Sequence, residues 1–431
     1  MSPPRRDFSA VLRRLVGDRL TVPPRGITSV CSAHPLVIEA ALRRGLADGA
    51  AVLIEATCNQ VNQDGGYTGM TPADFRRFVE AISRRIGFDP AMLILGGDHL
   101  GPNPWRSLPA EAALAKAEAM VAAYVEAGFG KIHLDTSMGC AGEPAALADA
   151  TTAARAARLA AVAEQAASKF GLPMPVYIIG TEVPPPGGAH EVIEALAVTD
   201  PAAAEQTLAV HREAFAALGL GEAFARVVGM VVQPGVEFGN ANVVFYQPAR
   251  ATALSDTLDR LPGLVFEAHS TDYQPAGELA ALVDDGFAIL KVGPGLTFAL
   301  RECLYGLDAI AETLASETLP DSVGRTMERL MLENPGNWQS HYPGSSEQQR
   351  LQRHFSYSDR IRYYWPQPEA QAAVDRLFAR LDGAPIPETL VSQYLAPLYP
   401  DVVAGRLAAR PRDLCLAAID KALAPYAAAT G

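Results

Sequence analysis

Eight short apolar runs recur along the chain, and most are followed by a longer stretch in which apolar residues return at helical spacing. The runs are Gly26–His34, Ala51–Asn59, Met92–His99, Lys131–Ser137, Val176–Glu182, Val227–Gly235, Leu264–Thr271 and Ala288–Gly295. They lack the alternation of a half-exposed strand, so they predict strands covered on both faces. Between them Pro35–Asp48, Thr71–Ile86, Glu111–Ala127, Ala145–Phe170, Ala202–Leu218, Asp256–Leu261 and Ala276–Asp285 read as helices, and Asp7–Gly17 predicts one more before the first strand. Strands alternating with helices describe parallel βα units, and eight of them fit a closed α/β structure, the (β/α)8 or TIM barrel. The competing open, doubly wound sheet would want a GxGxxG turn after its first strand, and Val30-Cys-Ser-Ala-His34 offers none.

After Leu307 the strand repeat stops. Ile310–Thr318, Gly324–Leu332, Ala370–Leu381, Leu390–Leu398 and Leu414–Leu423 read as helices, which divides the chain into a barrel with an N-terminal helix over 1–310 and a helical C-terminal extension over 311–431. The extension holds an aromatic, proline-punctuated stretch, Asn334–Gly344 followed by Phe355–Pro366, too rich in Trp and Tyr for a solvated linker. It predicts either a lid over the barrel mouth or a contact between copies in a homo-oligomer.

Composition narrows the function classes. With 431 residues and 49% hydrophobic positions the chain can bury a large core. A net charge of −12, with only five lysines among its cations, provides no basic field for nucleic acid. No apolar window approaches a membrane span and no signal sequence follows Met1, so the expected location is the cytoplasm. Five scattered cysteines without CxxC spacing argue against disulfides and a structural zinc knuckle.

Chemistry-bearing residues gather where the strands end, the working face of a barrel of this type. Reading each edge gives His34, Glu55 with Asn59, Asp98-His99 with Asn103, Asp135, Glu182, Gln233, Glu267 with His269 and Asp272, and Lys291. Histidines and carboxylates converging from separate strands suit Zn2+ or Mn2+, and the candidate ligands are His99, Glu182 and His269. Asp98, Asp135 and Glu182 are the candidate catalytic acids and bases. His34, Glu55, Asn59, Asn103, Gln233, Glu267, Asp272 and Lys291 are candidate substrate contacts, Lys291 alternatively pairing with a strand-end carboxylate or serving as a Schiff-base nucleophile. His133, at period two with Lys131 and Asp135, reads as an inner barrel group supporting the ligands. Gly188, Gly293 and Gly295 are candidate phosphate-facing amides, with Arg301, Arg353, Arg360 and Arg362 as sources of charge.

The segments GGDHLGPNPW, HLDTSMGCAGEP, IIGTEVPPPGGA, VVQPGVEFGN, FEAHSTDYQP, LKVGPGLTFALRE, ENPGNWQSHYPG and FSYSDRIRYYW resemble the family of the tagatose-1,6-bisphosphate aldolase non-catalytic subunit and its relatives, the tagatose-6-phosphate (fructose-6-phosphate) 4-epimerases. More remotely the chain is similar to class II fructose-bisphosphate aldolases, whose pattern sets an Asp acid/base directly before a His metal ligand. Asp98-His99 matches that pair and His269 the late ligand, while Glu182 stands where that superfamily has a histidine. The resemblance implies a metal-dependent 4-epimerase acting on a ketohexose or its phosphate, or a stabilising partner of a separate aldolase catalytic chain.

Overall fold

A computed structural model describes residues 9–180 and 196–431. All eight apolar runs form strands, namely β1 (Ile27–Cys31), β2 (Val52–Thr57), β3 (Leu93–Leu100), β4 (Lys131–Leu134), β5 (Val176–Ile179), β6 (Val227–Val232), β7 (Val265–Ala268) and β8 (Ile289–Val292). Each pairs in parallel with its sequence neighbours, and β8 returns to β1, closing the (β/α)8 barrel. A two-residue ribbon, Glu237–Phe238 against Val243–Val244, adds to the loop after β6.

Helix ends follow local capping rules. Thr71 caps Pro72–Ile86 through a capping box with Asp74, and Gly87 ends that helix in the left-handed conformation. The N-terminal helix Ser9–Asp18 closes the barrel's lower end: Leu12 and Leu15 join one cluster with Ile27, Val176, Val265 and Ile289, the first residues of four strands. Burying each such side chain is worth about 1.5–3 kcal/mol. The functional edge is therefore the opposite one.

Helix Pro294–Ala315 runs across residue 310 without a break. The closing helix Pro411–Thr430 comes back to the barrel, packing on β1 and on helices Pro35–Asp48, Ala276–Asp284 and Pro294–Ala315. Its last turn is tied to the start of β1, where the Gly26 amide donates to the Thr430 carbonyl at 3.0 Å. The C-terminal residues thus supply part of the barrel's helical wall. The aromatic stretch reaches the mouth of the same barrel: the turn Arg360–Tyr364 follows helix Ser346–Phe355, and Ser358, Arg362 and Tyr363 face the cavity there.

Candidate active site

The backbone at the end of β3 explains how neighbouring residues reach one pocket. Gly97 pairs with Ile132 and Leu100 with Leu134, so β3 carries one residue more than β4 over this interval, a bulge at Asp98 and His99. His99 adopts φ 50°, a left-handed conformation rare outside glycine, and Ser270 after His269 has φ 52°. Gly96 is a glycine because a Cβ there would lie 2.3 Å from Glu55 Oε1.

Three imidazoles converge on Asp98. Ring centroids of His99 and His133 lie 4.9 Å apart, those of His99 and His269 4.9 Å, and those of His133 and His269 5.3 Å. One donor atom each from Asp98, His99, His133 and His269 falls within 4.8 Å of all the others. Acceptors fix one nitrogen of every ring. His99 Nδ1 meets Asp135 Oδ2 at 2.8 Å, His269 Nε2 meets Glu267 Oε1 at 2.8 Å, and His133 Nε2 meets the Gly180 carbonyl at 3.0 Å. The contacts of His99 and His269 place the proton on those nitrogens, so His99 Nε2 and His269 Nδ1 are the lone-pair atoms. His133 Nδ1 lies 2.9 Å from Asp98 Oδ1 and 3.2 Å from the His99 amide nitrogen.

Beneath this cluster runs a buried layer of charge. Lys131 Nζ bridges Glu55 Oε1 at 2.7 Å and Glu267 Oε2 at 2.8 Å, and Lys291 Nζ bridges Glu55 Oε2 at 2.5 Å and Asp98 Oδ2 at 2.6 Å. Burial alone would raise the Asp98 carboxyl, but His99, Lys291 and the His133 contact hold it well below its usual value. Asp135 is likewise held down, to about 2, its burial outweighed by the contact with His99. Burial would lower Lys291, yet Asp98 and Glu55 raise it well above the usual ammonium range. Counting Asp135, which pairs with His99 above the layer, the carboxylates of Asp98, Asp135, Glu55 and Glu267 exceed the ammoniums of Lys131 and Lys291 by two negative charges. That excess, and the imidazoles of His99, His133 and His269 gathered with Asp98 within 4.8 Å, fit a divalent cation bound by nitrogen and oxygen.

The cavity above has a volume of about 410 Å3, in the range of small-molecule sites. Asp98, His99, Asp135, His269, Asn59, Asn103, Asp272, Lys291 and Gly293 all line it. Other candidates lie elsewhere. Sequence position marks Glu55 and Glu267 for substrate, but both are fully buried and face lysines, so they act below the cavity. His34 accepts the Leu36 amide as a helix cap and lines an adjoining cavity of about 330 Å3, burial lowering its pKa to about 4. Gln233 Oε1 accepts the Gly235 and Val236 amides, holding the loop after β6. The expected phosphate-facing amides of Gly293 and Gly295 donate instead to Asp272 Oδ1, at 2.9 and 2.7 Å, so Asp272 braces that turn. Glu182 and Gly188 lie outside the described residues.

The sequence does not mark Lys131, nor Tyr67 and Tyr363, which line the cavity, as site residues, and it gives His133 only a supporting place. The spacing Lys131-x-His133-x-Asp135 places all three on one face of β4, a signal that could have brought His133 into the cluster.

An eight-stranded βα barrel with a histidine–carboxylate cluster at its C-terminal mouth is the class of protein these features define. Within it the chain belongs to the family described as D-tagatose-1,6-bisphosphate aldolase subunit GatZ/KbaZ-like, whose model matches residues 12–431. It is 61% identical over 424 residues to a protein of Agrobacterium fabrum named D-tagatose 6-phosphate 4-epimerase, covering 98% of this chain and 99% of the relative. It also resembles a Sinorhizobium meliloti 1021 protein whose crystal structure is described as that of a "probable tagatose 6 phosphate kinase". That match has 62% identity and a TM-score of 0.87, covering 94% of this chain and 100% of the other.

Proposed function

We propose that the chain is a divalent-metal-dependent 4-epimerase interconverting tagatose 6-phosphate and fructose 6-phosphate by opening and resealing the C3–C4 bond. The supporting observation is that Asp98, a buried carboxylate held ionised by Lys291, shares one cavity with the His99 and His269 imidazoles. The identity with the relative named as an epimerase adds weight to this reading.

The configuration at C4 of a 2-ketose cannot invert by simple proton abstraction, because that carbon is not adjacent to the carbonyl. Retro-aldol cleavage avoids the difficulty. Asp98 takes the C4 hydroxyl proton, the C4–O pair becomes the aldehyde π bond, and the C3–C4 pair passes to C3 as an enediolate. The aldehyde turns its other face, the C3 carbon re-adds, and Asp98 returns the proton to the new alkoxide. His99 and His269 would hold a Zn2+ or Mn2+ ion, which would supply Lewis acidity for the negative charge that develops in this step. His133 is the third ring that the described residues offer to it, and Glu182, outside the described residues, keeps its place as a proposed ligand and acid/base group. Asp135 and Glu267 orient the His99 and His269 rings, and Asn59 and Asn103, on the cavity wall, take sugar hydroxyls. Lys291 contributes as an ammonium between two carboxylates, which leaves it no lone pair for a Schiff base.

The second reading, a stabilising subunit for a separate aldolase catalytic chain, draws on the family's description. Incubating the purified chain alone with tagatose 6-phosphate separates the two. The epimerase reading predicts fructose 6-phosphate without any added protein; activation of an aldolase chain with no product from this one would favour the subunit role.

A further inference from the structure

We infer that Arg362, carried on the turn that crosses the barrel mouth, is the residue that recognises the substrate's phosphate and so separates sugar phosphates from free sugars at this site. The inference rests on the reading of the cavity as a sugar site, and deepens it. Among the described residues, Lys291 and Arg362 are the Lys and Arg side chains lining the cavity. Lys291 is neutralised by Glu55 and Asp98. Arg362 makes no ion pair with a carboxylate among the described residues; the carboxylate of Asp359, its nearest acid in sequence, accepts from Thr297 at 2.6 Å and pairs with Arg301 at 3.6 Å.

The guanidinium is also held in place before any ligand arrives. Nη1 donates to the Ser358 and Asp359 carbonyls, Nη2 donates to the Tyr363 hydroxyl at 3.1 Å, and the group stacks 4.5 Å from the Tyr363 ring centroid. Its Nε makes no hydrogen bond among the described residues, so the Nε–Nη2 edge keeps the two-pronged geometry that fits a phosphate. The turn itself is anchored. Asp359 has φ 45°, and Arg301 beside it is buried against the Phe298 ring at 4.1 Å. The Arg360 amide donates to the Tyr342 hydroxyl at 3.1 Å, and the Tyr357 amide to the Asn240 carbonyl at 3.0 Å. A cation preset in this way loses little freedom on binding a dianion. The glycine amides after β8, the other candidate for this task, are occupied by Asp272.

Calorimetric titration with D-fructose 6-phosphate and with D-fructose tests the assignment without depending on turnover. The wild-type chain is expected to bind the phosphate ester far more tightly than the free sugar. Arg362→Gln should weaken the ester on the order of a hundredfold, the worth of a charge-assisted pair of hydrogen bonds, and leave fructose unchanged. Arg362→Lys should recover part of the loss. Equal affinity of the wild-type chain for both sugars, unchanged ester affinity in Arg362→Gln, or an equal loss on both sugars would overturn the proposal. Turnover measured in parallel keeps the two claims apart. Ester binding that Arg362→Gln removes, in a wild-type chain that makes no product, would sink the epimerase reading and leave the phosphate site standing.

Discussion

Asp98 and Lys131 illustrate two different demands on a buried charge at this site. Asp98 borders the cavity and stays ionised through Lys291, so its removal should cost chemistry: Asp98→Asn is expected to lower kcat by roughly a hundredfold to ten-thousandfold, the usual worth of a positioned acid or base. Metal content, measured on the same protein, should remain, since imidazoles carry most of the binding. Lys131 has no exposure and touches only carboxylates. Lys131→Met leaves Glu55 and Glu267 buried without their shared cation and should cost about 3–5 kcal/mol in denaturant unfolding. At this scale the sequence was partly legible. Asp98 and His99 stand out because an acid and an imidazole follow two glycines at a strand end, where a bulge turns both inward. Lys131 shares the inner face of its strand with His133 and Asp135, but its spacing does not name the carboxylates of Glu55 and Glu267 that it bridges. Glu55 and Glu267 sit at strand ends too, and only the depth of each side chain in the barrel shows that they serve the layer below.

Helices tie the C-terminal chain to the barrel through ions as well as apolar contacts. Glu39, on helix Pro35–Asp48, is buried and meets Arg43, Arg85 and the Arg412 guanidinium of the closing helix. Burial would raise its carboxyl, but the contacts with Arg412 and Arg43 prevail and lower it to about 2 from an ordinary 4.5. A depressed folded pKa means stability present above pH 4.5 and lost as pH falls through 2. Glu39→Gln should therefore melt at a lower temperature than the parent at pH 7, with the gap closing between pH 4.5 and 2 in scanning calorimetry. Helix starts show why some elements were legible and others not. Pro35–Asp48 is marked by proline at its first position and glycine just past its end. Ser346–Phe355 was missed although Ser345 and Gln348 form a capping box, because its polar run lacks an apolar stripe to announce it.

Across the whole molecule, the strand–helix alternation was enough to predict a closed barrel, because eight covered strands leave few other parallel arrangements. Alternation is local and says nothing of distant returns. That the closing helix packs on β1, or that Arg362 and Tyr363 come from the far end of the chain to line the mouth, depends on contacts between segments far apart in sequence. Of the aromatic stretch, read as lid or subunit contact, Ser358, Arg362 and Tyr363 line the chain's own cavity. Among the described residues no helix is long and apolar enough to cross a membrane. The account turns on the cluster at that mouth, and metal titration of the metal-free chain, with fructose 6-phosphate formation from tagatose 6-phosphate followed in the same sample, tests it most directly. One Zn2+ or Mn2+ per chain should bind, turnover should rise in step with occupancy, and His269→Ala should abolish both. Full turnover in the metal-free chain, or none in a chain with its ion bound, would contradict it.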